Sequence, residues 1–162
     1  MNRIIVVMVL FVLVGFGCVS HSCWMKMSTS SMEPTIHLGD KVFIDKDISR
    51  YTPERFDVIL IRLTEIQQSD QIIIKRIIGL PGEEVFLNKG KLTINGNLVK
   101  EPFDKTIDVK LYNKLIVPAD SVFVLGDNRA RSRDSRHFGA IPIKSIIGKV
   151  ARNRRVCPYF KE

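Results

Sequence analysis

The chain opens on an apolar run and then changes rhythm. Ile4 to Val19 reads IIVVMVLFVLVGFGCV without a charge, with Arg3 before it and Lys26 after it. The window from Ile4 to Met25 reaches the roughly 20 residues that a helix needs to span a bilayer, and Trp24 is placed for the interface. After Met27 no segment holds a helical period with caps. KVFIDK from Lys41 alternates, FDVILIRL from Phe56 has the look of a buried strand, and QIIIKRIIGL from Gln71 is a β-branched run broken only by Lys75 and Arg76. Gly79, Pro81 and Gly82 end that run in a turn. A meander follows from Glu84, where Asn95-Gly96 signals a type I′ hairpin between Leu92–Ile94 and Asn97–Val99. SVFVLGDN from Ser121 is a further strand that runs into a polar turn, and PIKSIIGKV from Pro142 reads either as a short helix or as a strand. The pattern predicts a mainly β class: antiparallel sheets forming a curved, barrel-like domain over 26–162, preceded by one N-terminal transmembrane helix within 1–25.

The head has other readings. A cleaved secretory signal has the same charged and apolar regions, but no alanine-containing small-x-small site follows. Lipid attachment at Cys18 would want leucine where Gly15 stands. An uncleaved anchor is the expectation. Arg3 favours an N-terminus inside the cell, and Lys26 nearly balances it.

Charge and cysteine usage narrow the partners. The 162 residues carry a formal charge of +8, and +7 of it falls from Lys26 onward. Such a surface favours anionic partners, acidic lipid headgroups among them, or is simply a solvated basic face. No Lys/Arg block interleaves with aromatics, so no nucleic acid is expected. Cys18, Cys23 and Cys157 lack zinc-ligand spacing, and His21, His37 and His137 are scattered. Neither a metal nor a cofactor is expected.

Three stretches carry candidate chemistry. In SSMEPT, Ser31 is either part of a polar turn or a nucleophile whose base lies elsewhere. Lys75 shares a strand face with Ile73 and Ile77, and Arg76 shares the other with Ile74 and Ile78. A desolvated lysine loses its preference for the charged form, and a neutral amine can take the proton of a serine hydroxyl. An edge-strand lysine with its head in water is the plainer reading. In GDNRARSRDSRHFGAIP, from Gly126, Asp134 and Arg136 can pair across one face of an extended segment, Asp127 can pair with a distant arginine, and Ser132 and Ser135 supply hydroxyls. A charged surface loop would look similar.

Taken together, these stretches resemble bacterial type I signal peptidases, membrane-bound serine proteases with a Ser-Lys dyad that remove signal peptides from exported proteins. Ser31-Met32-Glu33-Pro34-Thr35 is similar to the family's S-M-x-P-T, and Lys75 to Glu83 to K-R-x-x-G-x-P-G-[DE]. Gly126 to Gly139 resembles G-D-N-R-x-x-S-x-D-S-R-x-x-G, and RFDVILIR is a looser match in which Phe56 stands where glycine is usual. The resemblance implies Ser31 as nucleophile and Lys75 as base, with Ser132 hydrogen-bonded to the lysine amine. The oxyanion would be met by the Ser31 N–H and the Thr29 hydroxyl. Asp127–Arg76 and Asp134–Arg136 would be structural ion pairs. Met32, Ile36, Ile73 and Ile74 would form shallow pockets that admit only small side chains at the first and third positions before the cleaved bond. It also implies signal peptides of exported preproteins as partners, a monomer, and a single-pass protein of the plasma membrane with an extracytoplasmic catalytic domain. A dedicated processing peptidase, such as one maturing a pilin, would share this chemistry. A self-cleaving repressor would carry a DNA-binding domain where the apolar head stands. A membrane-tethered β module that binds lipid or a partner is the non-enzymatic alternative.

Overall fold

The structure is a computed structural model that describes residues 22–64, 71–103, 105–106 and 111–151. The expected anchor, apart from its last residues, lies outside the described residues, as do Cys18, His21 and Cys157. Among the described residues no helix is long and apolar enough to cross a membrane.

Among the described residues, eleven strands form two antiparallel sheets. The larger contains β1 (Ser22–Lys26), β2 (Lys41–Asp45), β3 (Val58–Arg62), β4 (Ile72–Gly79), β9 (Ser121–Leu125), β10 (Ile141–Pro142) and β11 (Ile146–Val150), in the order β1-β2-β11-β3-β4-β9-β10. The smaller contains β5 (Glu84–Asn88), β6 (Lys91–Ile94), β7 (Asn97–Leu98) and β8 (Leu111–Ile116), in the order β7-β6-β5-β8. Register shifts in the β11–β3 and β4–β9 pairs add local twist, and the large sheet curls into a half-barrel with two open edges.

The central strands are buried on both faces, which explains their near-continuous apolar sequence. Ile59 and Ile61 of β3 join Ile77, Val122 and Val124 in one cluster. Leu60 turns the other way, to Met27, Met32, Ile36, Ile44 and Ile74. Ile78, Phe123 and Leu125 pack against Val85, Leu87 and Leu92 of the small sheet. Each such fully buried aliphatic side chain contributes about 1.5–3 kcal/mol. The Lys149 ammonium of β11 lies 2.8 Å from Asp57, whose carboxylate also accepts from the Tyr51 hydroxyl at 2.9 Å. Burial and the Asp57 carboxylate push the Tyr51 phenol well above its ordinary range.

Several expectations change here. Ser22 to Met25, expected in the anchor helix, lie in β1 and pair with β2 in register Ser22↔Asp45 to Lys26↔Lys41. The reason is a change of period. Cys23 and Met25 turn toward the core while Trp24 faces out against Phe43, their ring centroids 5.1 Å apart. The Asn95-Gly96 turn has φ of 51° and 79°, as a type I′ hairpin requires. The ambiguous segment after Pro142 is both things in turn, a 3-10 turn at Ile143–Ser145 and then β11. The Asp134–Arg136 pair does not form on an extended segment. Asp134 is the N-cap of a single helical turn, α1 (Ser135–Phe138), and accepts the Arg136 N–H as well as its guanidinium.

Candidate active site

The segment from Met27 to Asp40 leaves β1 and returns to β2. Its neck is closed by Met27 N–H donating to Asp40 O at 2.7 Å and Gly39 N–H donating to Met27 O at 2.9 Å. Met32 and Ile36 are buried and anchor the turn to the core, with Ile36 N–H bonded to Met32 O at 2.9 Å. Anchoring Met32 fixes its neighbour Ser31, which points its hydroxyl toward β4.

Lys75 stands in the middle of β4, flanked by β3 and β9 rather than on an edge. Its Nζ lies 2.7 Å from Ser31 Oγ and donates to Ile74 O at 3.1 Å. Both residues are nearly enclosed, with Lys75 only 3% and Ser31 7% exposed. Burial pushes the Lys75 ammonium down to about 8. Asp134 and Asp127 pull it back from a distance, and Arg136 adds a smaller downward push. The Thr29 hydroxyl sits 3.2 Å from Ser31 Oγ.

Arg76, next along the strand, points away from this pair. It meets Asp127 through Nε at 2.8 Å and Nη2 at 2.5 Å, donates to Phe56 O at 2.9 Å, and lies 4.0 Å over the Phe103 ring. The Asp134 carboxylate takes the Arg136 guanidinium at 2.7 Å and the Gly126 N–H at 2.9 Å. Both expected ion pairs therefore form. They clamp the two ends of the 126–136 segment over Ser31. Gly126 makes the approach possible. A Cβ there would stand 2.4 Å from Ser31 O and 2.2 Å from Ser132 Oγ.

Two expectations fail on geometry. Ser132 Oγ is buried without a hydrogen-bond partner among the described residues. It packs beside Gly126, and the second bond of the Lys75 amine goes to the Ile74 carbonyl instead. Of the four expected pocket residues, Ile73 and Ile74 line the cleft beside Ser31 and Lys75, but Met32 and Ile36 do not. Those two are consumed by the core that anchors the nucleophile's turn.

The cleft itself has a volume of about 430 Å³. It is lined by Met25 of β1, Met27 and Thr29 of the turn that follows, Ile72, Ile73 and Ile74 of β4, and Leu63 and Phe138. Among the described residues no carboxylate lines it, whereas Lys26, Arg131 and Arg133 do. A buried hydroxyl beside a buried amine of lowered pKa can generate an alkoxide nucleophile near neutral pH.

Sequence reasoning missed the supports of this site. The Arg55–Glu83 pair joins the start of β3 to the turn after β4, and Arg55 Nη1 also reaches Ile78 O at 2.6 Å. Arg129 pairs with Glu101, both side chains being 2% exposed. Asn128 donates through Nδ2 to Ser30 O at 3.1 Å. The charged density of 126–136 was the available signal, but nothing local identifies its partners 28 or 98 residues away.

The sequence matches the family described as signal peptidase, peptidase S26, over residues 1–153. It is 36% identical over 143 residues to the signal peptidase I V of Bacillus subtilis, covering 78% of this chain and 82% of that protein. It is 38% identical over 127 residues to the signal peptidase I of Leptolyngbya laminosa, covering 75% of this chain and 63% of that protein. The chain spans 57% of the length of a Synechocystis relative. The crystal structure of a signal peptidase I from Enterococcus faecalis is similar with a TM-score of 0.50 and 33% identity, over 62% of this chain and 98% of that one.

Proposed function

Since the chain belongs to the signal peptidase family, peptidase S26, we propose that it is a membrane-bound serine endopeptidase that removes N-terminal signal peptides from exported preproteins. The observation that carries this reading is the Lys75 amine 2.7 Å from the Ser31 hydroxyl, both buried and both lining one cleft.

Neutral Lys75 takes the Ser31 proton as Oγ attacks the scissile carbonyl. The carbonyl oxygen becomes an oxyanion, met by the Ser31 N–H and the Thr29 hydroxyl. Each preorganised donor of this kind contributes about 3–4 kcal/mol to the transition state. Lys75 then gives its proton to the leaving amine, and the acyl group remains on Ser31. A water loses its proton to Lys75 and attacks the ester; the acyl–Oγ bond breaks, and Lys75 returns that proton to Ser31 Oγ. The Ile74 carbonyl orients the amine throughout.

The peptide lies extended in the cleft, adding a strand beside Ile72–Ile74, the part of β4 whose pairing with β9 has not yet begun. Ile73 and Ile74, which line the cleft with Met27 and Leu63, leave room for small side chains near the cleaved bond and exclude large ones by contact. The apolar run from Ile4 holds the catalytic domain at the outer face of the plasma membrane, where exported chains emerge.

Cleavage of a preprotein by the purified full chain in detergent, compared with Ser31→Ala, tests this. The wild type releases the mature protein at one bond after a small residue and Ser31→Ala does not. Equal cleavage by both, or none by the wild type, would contradict the proposal.

A further inference from the structure

The Ser30–Ser31 peptide unit is a rigid plane with the Ser30 carbonyl on one edge and the Ser31 N–H on the other. Whatever fixes that carbonyl also aims the N–H. Ser30 O accepts from Asn128 Nδ2 at 3.1 Å and, within its own turn, from Glu33 N–H at 3.2 Å. The backbone N–H of the same Asn128 donates to Ser31 O at 3.1 Å. One residue therefore grips the carbonyls on both sides of the nucleophile.

The Asn128 amide is itself oriented. The Thr106 hydroxyl accepts from Ala130 N–H at 3.3 Å, which leaves its proton for Asn128 Oδ1 at 3.1 Å. With Oδ1 facing Thr106, Nδ2 faces Ser30. Thr106 is in turn fixed by its own N–H, which donates to Asp127 O at 2.9 Å. Asn128 is 5% exposed, so water cannot readily replace these partners.

We infer that Asn128, oriented by Thr106, is a positioning residue that aims the Ser31 N–H at the developing oxyanion. Asn128 is absent from the residues that line the cleft; it acts through a peptide plane. The inference rests on the reading of Ser31 as nucleophile. It explains why an asparagine follows Asp127. A carboxylate of the same shape could not donate to Ser30 O, and an apolar side chain would leave that carbonyl to its own turn alone.

The test uses the full chain in detergent, with Asn128→Ala and Thr106→Val compared with wild type. Three quantities are read: kcat and KM on a preprotein, the inhibition constant of a peptide aldehyde ending in alanine, and the thermal midpoint. The aldehyde forms a hemiacetal. Its carbon bonds to Ser31 Oγ, the carbonyl electron pair moves to oxygen, and the serine proton passes to Lys75. Its affinity therefore reports the oxyanion donors. Asn128→Ala should lower kcat on the order of 10- to 100-fold, short of complete loss of a donor, with KM within about twofold. Aldehyde binding should weaken by the factor that kcat/KM loses. Thr106→Val should do the same on a smaller scale, about three- to tenfold, with a midpoint within a few degrees of wild type. A folded Asn128→Ala with wild-type kcat, or a loss confined to KM with unchanged aldehyde affinity, would overturn the inference. If Asn128→Ala does not fold, Thr106→Val decides by the same criteria. Cleavage surviving in Ser31→Ala would instead overturn the functional reading, and this inference with it.

Discussion

Lys75 and Arg76 are neighbours on one strand, almost equally enclosed at 3% and 6% exposure, and they face opposite sides of β4. On the Lys75 side the amine meets a hydroxyl and a carbonyl, and no carboxylate among the described residues touches it. On the Arg76 side both oxygens of Asp127, the Phe56 carbonyl and the Phe103 ring surround the guanidinium. Equal burial thus has opposite results. Without a contacting anion, desolvation makes the amine a proton acceptor near neutral pH. With a bidentate anion, the same desolvation is offset and the cation becomes a brace. Residue choice fits each role, since a guanidinium keeps its proton and a lysine makes no fork.

Removing each cation's function in turn breaks the comparison most sharply. Lys75→Met should abolish cleavage, as Ser31→Ala does, and the double variant should be little worse because the pair acts as a unit. Stability should not fall. The folded pKa of about 8 lies below the ordinary lysine value, so the unfolded chain binds the extra proton between those two values. Below about pH 8 the buried ammonium opposes folding by its full penalty, roughly 3 kcal/mol, and the penalty fades as pH rises from about 8 toward 10.4. Denaturant titration at neutral pH should therefore place Lys75→Met level with wild type or above it. The advantage should shrink as pH rises through that window. A large loss would mean that the amine is a structural partner.

The Arg76 side should respond in the opposite sense. Asp127→Asn leaves a buried guanidinium without its anion and should destabilise the fold by about 3–5 kcal/mol. Asp127 also raises the Lys75 pKa from a distance. Whatever activity remains should therefore show its acidic limb at lower pH. An unchanged melting midpoint would mean that the brace is dispensable.

Smaller changes sharpen the picture. Thr29→Ala should lower kcat about 100-fold with little change in KM, while Thr29→Ser retains most activity. Equal effects of both would remove Thr29 from the oxyanion hole. Phe56 sits at φ 72°, in the left-handed region that favours glycine, and its ring packs edge-on to Phe103 with centroids 5.5 Å apart. Relief of about 1–2 kcal/mol of backbone strain in Phe56→Gly should nearly cancel the lost ring contact. Phe56→Ala gains no relief and should be the less stable of the two. The reverse order would say that the strain is absent.

The same contrast explains what was legible in the sequence. Alternation in β2, apolar β-branched runs in β3, β4 and β9, and Asn95-Gly96 between β6 and β7 located those strands, because pattern and turn chemistry are local. Ser31, Lys75 and both ion pairs were legible through motif resemblance, and their distances fit those assignments. Phe56 was legible as an oddity, and its positive φ is the reason glycine would suit the position. Met32 and Ile36 were assigned to the cleft because side-chain direction within a turn has no period. Ser132 was given a bond to Lys75, but burial beside Gly126 left its hydroxyl without a partner among the described residues. Asn128, Thr106 and Glu101 were silent because their contacts are far apart in sequence: Asn128 reaches the serine turn, and Thr106 and Glu101, between β7 and β8, reach the segment after β9. Ser22 to Met25 were absorbed into the apolar head because window hydropathy does not register a change of period inside it.

The central claim is that burial, unopposed by a contacting anion, holds Lys75 neutral enough to activate Ser31. The pH dependence of kcat/KM for preprotein cleavage tests it most directly, since its acidic limb reports the base of the free enzyme. The account predicts a single limb with an apparent pKa near 8, with activity rising from pH 6 to a plateau above about pH 9. A profile flat across that range, or one still rising through about pH 10.4 as for an ordinary lysine, would contradict it.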